Sequence, residues 1–100
     1  MDLEEVIKRS NKIRERYHEL ELKHHGSKWT VEEDLLALSN DIGILNRLVM
    51  TKFNRYYDET PYKLEHKLAE NIWWLIELSN RLNVDIEREL EKFLTEKEKL

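Results

Sequence analysis

A chain of 100 residues with 17 Lys and Arg against 21 Asp and Glu carries a formal charge of −4, and no segment is dense enough in cations to grip a polyphosphate backbone. Two glycines and one proline are too few for a many-stranded β fold, and the absence of cysteine excludes disulfides, thiolate catalysis and Cys-ligated zinc. With 40% hydrophobic residues the chain is too apolar for disorder, and its length is that of one domain, residues 1–100, whose core is small unless a second copy covers part of it.

Leu3, Val6, Ile7, Ile13, Tyr17 and Leu20 recur at helical spacing with charges opposite them, which predicts a first helix over 3–20. The opening turns acidic at its second residue, unlike the basic-then-apolar order of a secretory signal, and the longest apolar run, Ile72 to Ile76, is far too short to span a bilayer. No membrane partner is expected, and a cytoplasmic location is the default. Gly26 and Ser27 mark HHGSK, 24–28, as a loop.

Thr30 and Glu33 have the spacing of a capping box, starting a second helix near Val31. Leu35, Leu38, Ile42, Leu45, Val49 and Phe53 form its stripe, and Leu36, Ile44 and Leu48 widen it beyond what one neighbour covers. NRYYDET ends this helix. Thr60 and Pro61 suit the cap and first turn of a third, whose core face is expected to be Leu64, Leu68, Ile72, Leu75, Ile76 and Leu82, with Trp73 and Trp74 alongside. Asn83 breaks the third helix, Asp85 is placed to cap a fourth bearing Ile86, Leu90, Phe93 and Leu94, and the final EKEKL reads as a solvated, frayed end. Four helices with short connections predict an all-α, antiparallel four-helix bundle, and the apolar width of the middle two predicts a homodimer or tetramer.

Gly43, in the middle of the second helix, costs about 1 kcal/mol relative to alanine, so either close helix packing or a group approaching the backbone should offset it. Asp41 lies beside it, and Glu70 occurs on the third helix. On adjacent antiparallel helices these carboxylates would face each other and suit a hard divalent cation such as magnesium. Trp73 and Trp74 read as core or dimer packing before base stacking. Trp29 reads as a hydrophobic staple before the cap, with a pocket wall as the other role. His18, His24, His25 and His66 read as surface residues, since none has a chelating partner at helical spacing. Lys52, Arg55, Tyr56 and Tyr57 either meet the phosphates and base of a nucleotide or form a solvated helix end.

The phrases KWTVEEDLLAL (28–38), NDIGIL (40–45), HKLAENIWWL (66–75) and LNVDIEREL (82–90), in that order, resemble the MazG-like all-α nucleoside triphosphate pyrophosphohydrolases. In that family an E-x-x-E segment on one helix and an E-x-x-D segment on the next supply four metal-binding acids. The resemblance implies a metal-dependent hydrolysis of a nucleoside triphosphate to monophosphate and pyrophosphate. Mg2+ or Mn2+ would be the cofactor, Asp41 and Glu70 the catalytic and metal-binding acids, and Trp74 stands where an aromatic residue is frequent; Lys67, Lys52 and Arg55 are, by their charge and position, the other candidate substrate contacts. The second acid is replaced by Ile44 and the third by Lys67, and Asn40 stands where a further acid is common. Lys67 would repel a metal, pair with Asp41 or Glu70, or hold a phosphate as a point charge. Two readings follow. One is an enzyme of reduced or lost activity acting on a free nucleotide, with no nucleic-acid polymer as partner; the other is an inactive homologue kept as a nucleotide-binding or protein-interaction module.

Overall fold

The computed structural model describes residues 1–57 and 61–100. They form four helices, α1 (Leu3–His25), α2 (Val31–Lys52), α3 (Leu64–Arg81) and α4 (Ile86–Lys97), with no strand among the described residues. No helix among them is long and apolar enough to cross a membrane.

The helix ends follow from local chemistry. The Asp2 carboxylate accepts the Glu5 N–H at 2.8 Å and starts α1. That helix runs past the predicted stretch to His25 and closes at Gly26, whose φ of 77° is the left-handed conformation that glycine adopts without a Cβ clash. His24 and His25 thus belong to the last turn of α1, not to a loop, and both are exposed. The capping box at α2 is complete: Glu33 N–H donates to Thr30 Oγ1 at 3.1 Å, and Thr30 N–H donates to Glu33 Oε1 at 3.0 Å.

Helices α2 and α3 end alike, each on an asparagine with φ 58°, Asn54 and Asn83. Arg55 N–H donates to Met50 O at 2.9 Å, and Val84 N–H donates to Ser79 O at 2.8 Å, so both close as Schellman motifs. The Thr60 cap lies outside the described residues. Pro61 stands three residues ahead of α3 and is not in its first turn, because Lys63 O accepts the Lys67 N–H and so sets the start at Leu64. Asp85 caps α4 as expected, accepting the Arg88 N–H at 3.1 Å.

The chain divides into two compact units, Met1–Trp29 with Ile76–Leu100, and Thr30–Leu75, and α3 passes from one into the other after Leu75. In the first, α1 buries Ser10, Arg14 and Glu21, while α3 contributes Ile76, Glu77 and Leu78 and α4 buries nothing. Turned with its nitrogen toward Glu77, the Asn11 carboxamide donates to both carboxylate oxygens, at 2.9 and 3.0 Å. In the second unit, α2 buries Asp34 and Leu38, and α3 buries Lys67, Asn71 and Trp74.

Of the expected core, Leu38 and Ile76 are buried, but most of the two apolar stripes is not. Leu35, Ile42 and Val49 on α2 with Phe53 just past its end, and Leu68, Ile72 and Leu75 on α3 with Leu82 just past its end, are exposed. On α3 the buried stripe is Lys67, Asn71, Trp74 and Leu78, one residue or about 100° around the helix from the apolar stripe that the spacing singled out.

Candidate functional site

In the second unit, one ammonium group organises the polar interior. Lys67 Nζ donates to Asp41 Oδ1 at 3.1 Å and to Glu70 Oε1 at 2.5 Å, and it lies 4.1 Å from the centre of the Tyr62 ring. Glu70 follows Lys67 by three residues, so one helical turn brings that pair together, whereas Asp41 arrives from α2. The second oxygen of Asp41 is also engaged, accepting the Trp74 indole N–H at 2.9 Å. Lys67 comes one turn before Asn71 and two before Trp74, so all three share a face, and the lysine's methylene stem is buried with them.

Burial by itself pulls the Lys67 ammonium toward losing its proton, but hydrogen bonds to Glu70 and Asp41 and the charges of both outweigh it, leaving the group above its ordinary value. The folded chain therefore holds this proton more tightly than the unfolded one. The stability it contributes is complete below about pH 10.5 and is lost as pH rises through the raised value. Urea midpoints measured up an alkaline series should fall there for the native chain, and Lys67→Met should lack that component.

The expected residues converge only in part. Asp41 and Glu70 come within reach of one cation, as the sequence implied, but that cation is Lys67. Trp74 is buried against Asp41, and the Trp73 ring lies beside it at 4.8 Å between ring centres with the planes tilted by 60°. Lys52 and Arg55 are exposed at the far end of α2, Lys52 about 16 Å along the axis from Asp41, so they are not assembled with the acids. Divalent magnesium takes oxygen ligands at about 2.0–2.1 Å in a near-octahedral shell. Here both Asp41 oxygens and one Glu70 oxygen already serve N–H donors, and a full positive charge stands between the two acids. The donor set does not fit a divalent ion. Among the described residues, no group of three His, Asp or Glu side chains is placed to hold a metal.

Sequence reasoning missed Asn71, which is 7% exposed and has neither amide atom paired among the described residues. It also missed a second buried network, in the first unit. Arg14 Nη1 donates to Glu21 Oε2 at 2.7 Å, while Glu21 Oε1 accepts the Trp29 N–H at 2.8 Å and lies 3.1 Å from His18 Nδ1. Arg81 donates to the Trp29 carbonyl at 2.8 Å, and the Arg14 guanidinium lies 5.9 Å from the Trp29 ring centre. His18 is thus mostly buried, contrary to expectation, because it lies one turn before Glu21; His66 is exposed as expected. Trp29 is held through its backbone, its N–H on Glu21 and its carbonyl on Arg81. The available signal was the spacing of Ser10, Arg14, Tyr17 and Glu21, which places a polar stripe along one side of α1.

Compared with protein-family models, curated proteins and solved structures, the chain matches none.

Proposed function

We propose that this chain is a MazG-like helical domain whose divalent-ion position is taken by its own lysine, leaving a protein-interaction module that does not hydrolyse nucleotides. The observation that carries this reading is the Lys67 ammonium shared by Asp41 and Glu70. Hydrolysis at a phosphorus atom needs a cation to neutralise the phosphate and to generate hydroxide, and a free carboxylate to take a proton from water. Asp41 has no free oxygen for that work, and Ile44, one turn further along α2, has no oxygen to add. An interaction role is favoured over nucleotide binding by the exposed apolar stripes of α2 and α3. We include in this reading an antiparallel bundle that self-associates.

Residual hydrolysis is the competing reading, favoured by the convergence of Asp41 and Glu70. Release of monophosphate and pyrophosphate from a panel of nucleoside triphosphates, with Mg2+ or Mn2+, separates the two. No turnover above an Asp41→Ala/Glu70→Ala control is expected; metal-dependent turnover above it would reject the proposal. A companion variant, Ile44→Glu/Lys67→Glu, is expected to give a Mn2+ binding isotherm by calorimetry that the native chain lacks.

A further inference from the structure

The C-terminal half of α2 and the residues just after it differ from the rest of the chain in charge. Residues 42–57 contain no Asp or Glu, although the chain has 21, and Arg47, Lys52 and Arg55 are the only charged residues in the run. Left-handed Asn54 turns the chain back on α2: the Arg55 N–H donates to Met50 O at 2.9 Å, and the Tyr56 ring centre lies 5.8 Å from the Arg47 guanidinium. Arg47, Met50, Phe53, Arg55 and Tyr56 are all exposed, Phe53 by 66%. Neither arginine has an ion-pair partner among the described residues. Gly43 lies one turn before Arg47 on the same side of the helix, and a Cβ built on it would meet nothing within 4 Å, so the approach along α2 is open.

We infer that this end of α2 docks an acidic segment of a different protein, one that carries aromatic or aliphatic side chains among its carboxylates. The inference rests on the interaction-module reading and names the partner's chemistry. Protein interfaces gather aromatic residues, Met and Arg and are depleted of Asp and Glu, which is the composition exposed here. Arg47 lies beside a ring and not on a carboxylate, so its fork of N–H groups is open to one from a partner. Two copies of this patch set face to face would oppose Arg47 and Arg55 to themselves, so a partner of opposite charge fits where a second copy does not. Nucleic acid fits less well, because two guanidiniums make few phosphate contacts on a chain of net charge −4.

Selection of short random peptides from a displayed library on the immobilised full chain, followed by fluorescence anisotropy of the enriched peptides at physiological salt, tests this. Enriched sequences are expected to combine acidic with aromatic or aliphatic residues. Arg47→Glu and Tyr56→Ala should each weaken their binding by about tenfold or more, with helicity unchanged by circular dichroism, because both side chains are exposed. Lys52→Glu makes the same change of charge as Arg47→Glu, but Lys52 follows Met50 by two residues and so lies about 160° around α2 from it. That variant should shift affinity by less than about threefold, since charges across a helix are largely screened at this salt. A library that yields no enriched peptide overturns the inference, as does a neutral or basic consensus. Equal losses from Arg47→Glu and Lys52→Glu would reduce the effect to net charge and overturn it too. So would a uridine oligonucleotide that binds more tightly than every enriched peptide. None of these results bears on hydrolysis, which the turnover assay decides, so the two readings fail separately.

Discussion

Lys67→Met is expected to destabilise the chain by about 3 kcal/mol at neutral pH, which for a domain of this size lowers the melting temperature by about 15 °C. The methionine keeps most of the stem, so the loss reports the ammonium and not a cavity. Asp41 and Glu70 side chains are 13% and 30% exposed and would share a site with no cation between them, each raising the cost of ionising the other. Substituting Asp41→Asn and Glu70→Gln in the same chain should recover most of the loss, because the repulsion goes with the charges. Manganese discriminates further. The native midpoint should be indifferent to it, whereas Lys67→Met should be stabilised, since two carboxylates are then free to accept a cation. A Lys67→Met chain within about 1 kcal/mol of native would show that the ammonium does not hold this site together.

Glu21→Ala is expected to cost a similar amount, about 3 kcal/mol, through the network around Trp29. One carboxylate there serves a guanidinium, a backbone N–H and a histidine ring, and Arg14 on the other side is only 3% exposed. The same group sets an acid limit. Burial raises its proton affinity, but the Trp29 N–H, Arg14 and His18 outweigh that and hold Glu21 below the ordinary carboxyl value of 4.5. The unfolded chain therefore binds this proton more readily, so stability from Glu21 is complete above about pH 4.5 and is lost as pH falls through the lowered value. Denaturation midpoints of Glu21→Gln should be lower at neutral pH and should converge on native values in acid. Parallel pH curves for the two chains would contradict this assignment.

The two networks show why the meeting of Asp41 and Glu70 was legible in sequence and the core only in part. Asp41 and Glu70 were recognisable because motif order and spacing constrain which turns of neighbouring helices can meet. Lys67 was recognisable as a misfit, but three outcomes were open to it, and only the position of Asp41 on another helix selects pairing. Asn71, Glu77 and Arg14 carried no motif. Hydropathy ranks their burial as unfavourable, and each is acceptable only where another element satisfies or encloses it. The apolar stripe Leu68, Ile72 and Leu75 misled for the same reason: periodicity shows that a helix has a face to cover, not whether its own chain covers it.

The sequence by itself determined the four helices and most of their ends, because caps such as Thr30 with Glu33, Asp85 and the left-handed Asn83 depend on residues within a few positions of one another. It also singled out Asp41, Glu70 and Lys67 together, without choosing among the three outcomes open to the lysine. Only the tertiary structure decided how each helix is rotated about its axis. A turn of about 100° exchanges α3's Leu68 stripe for its Lys67 stripe without breaking one backbone hydrogen bond, so the choice rests with groups from distant parts of the chain, Asp41 above all.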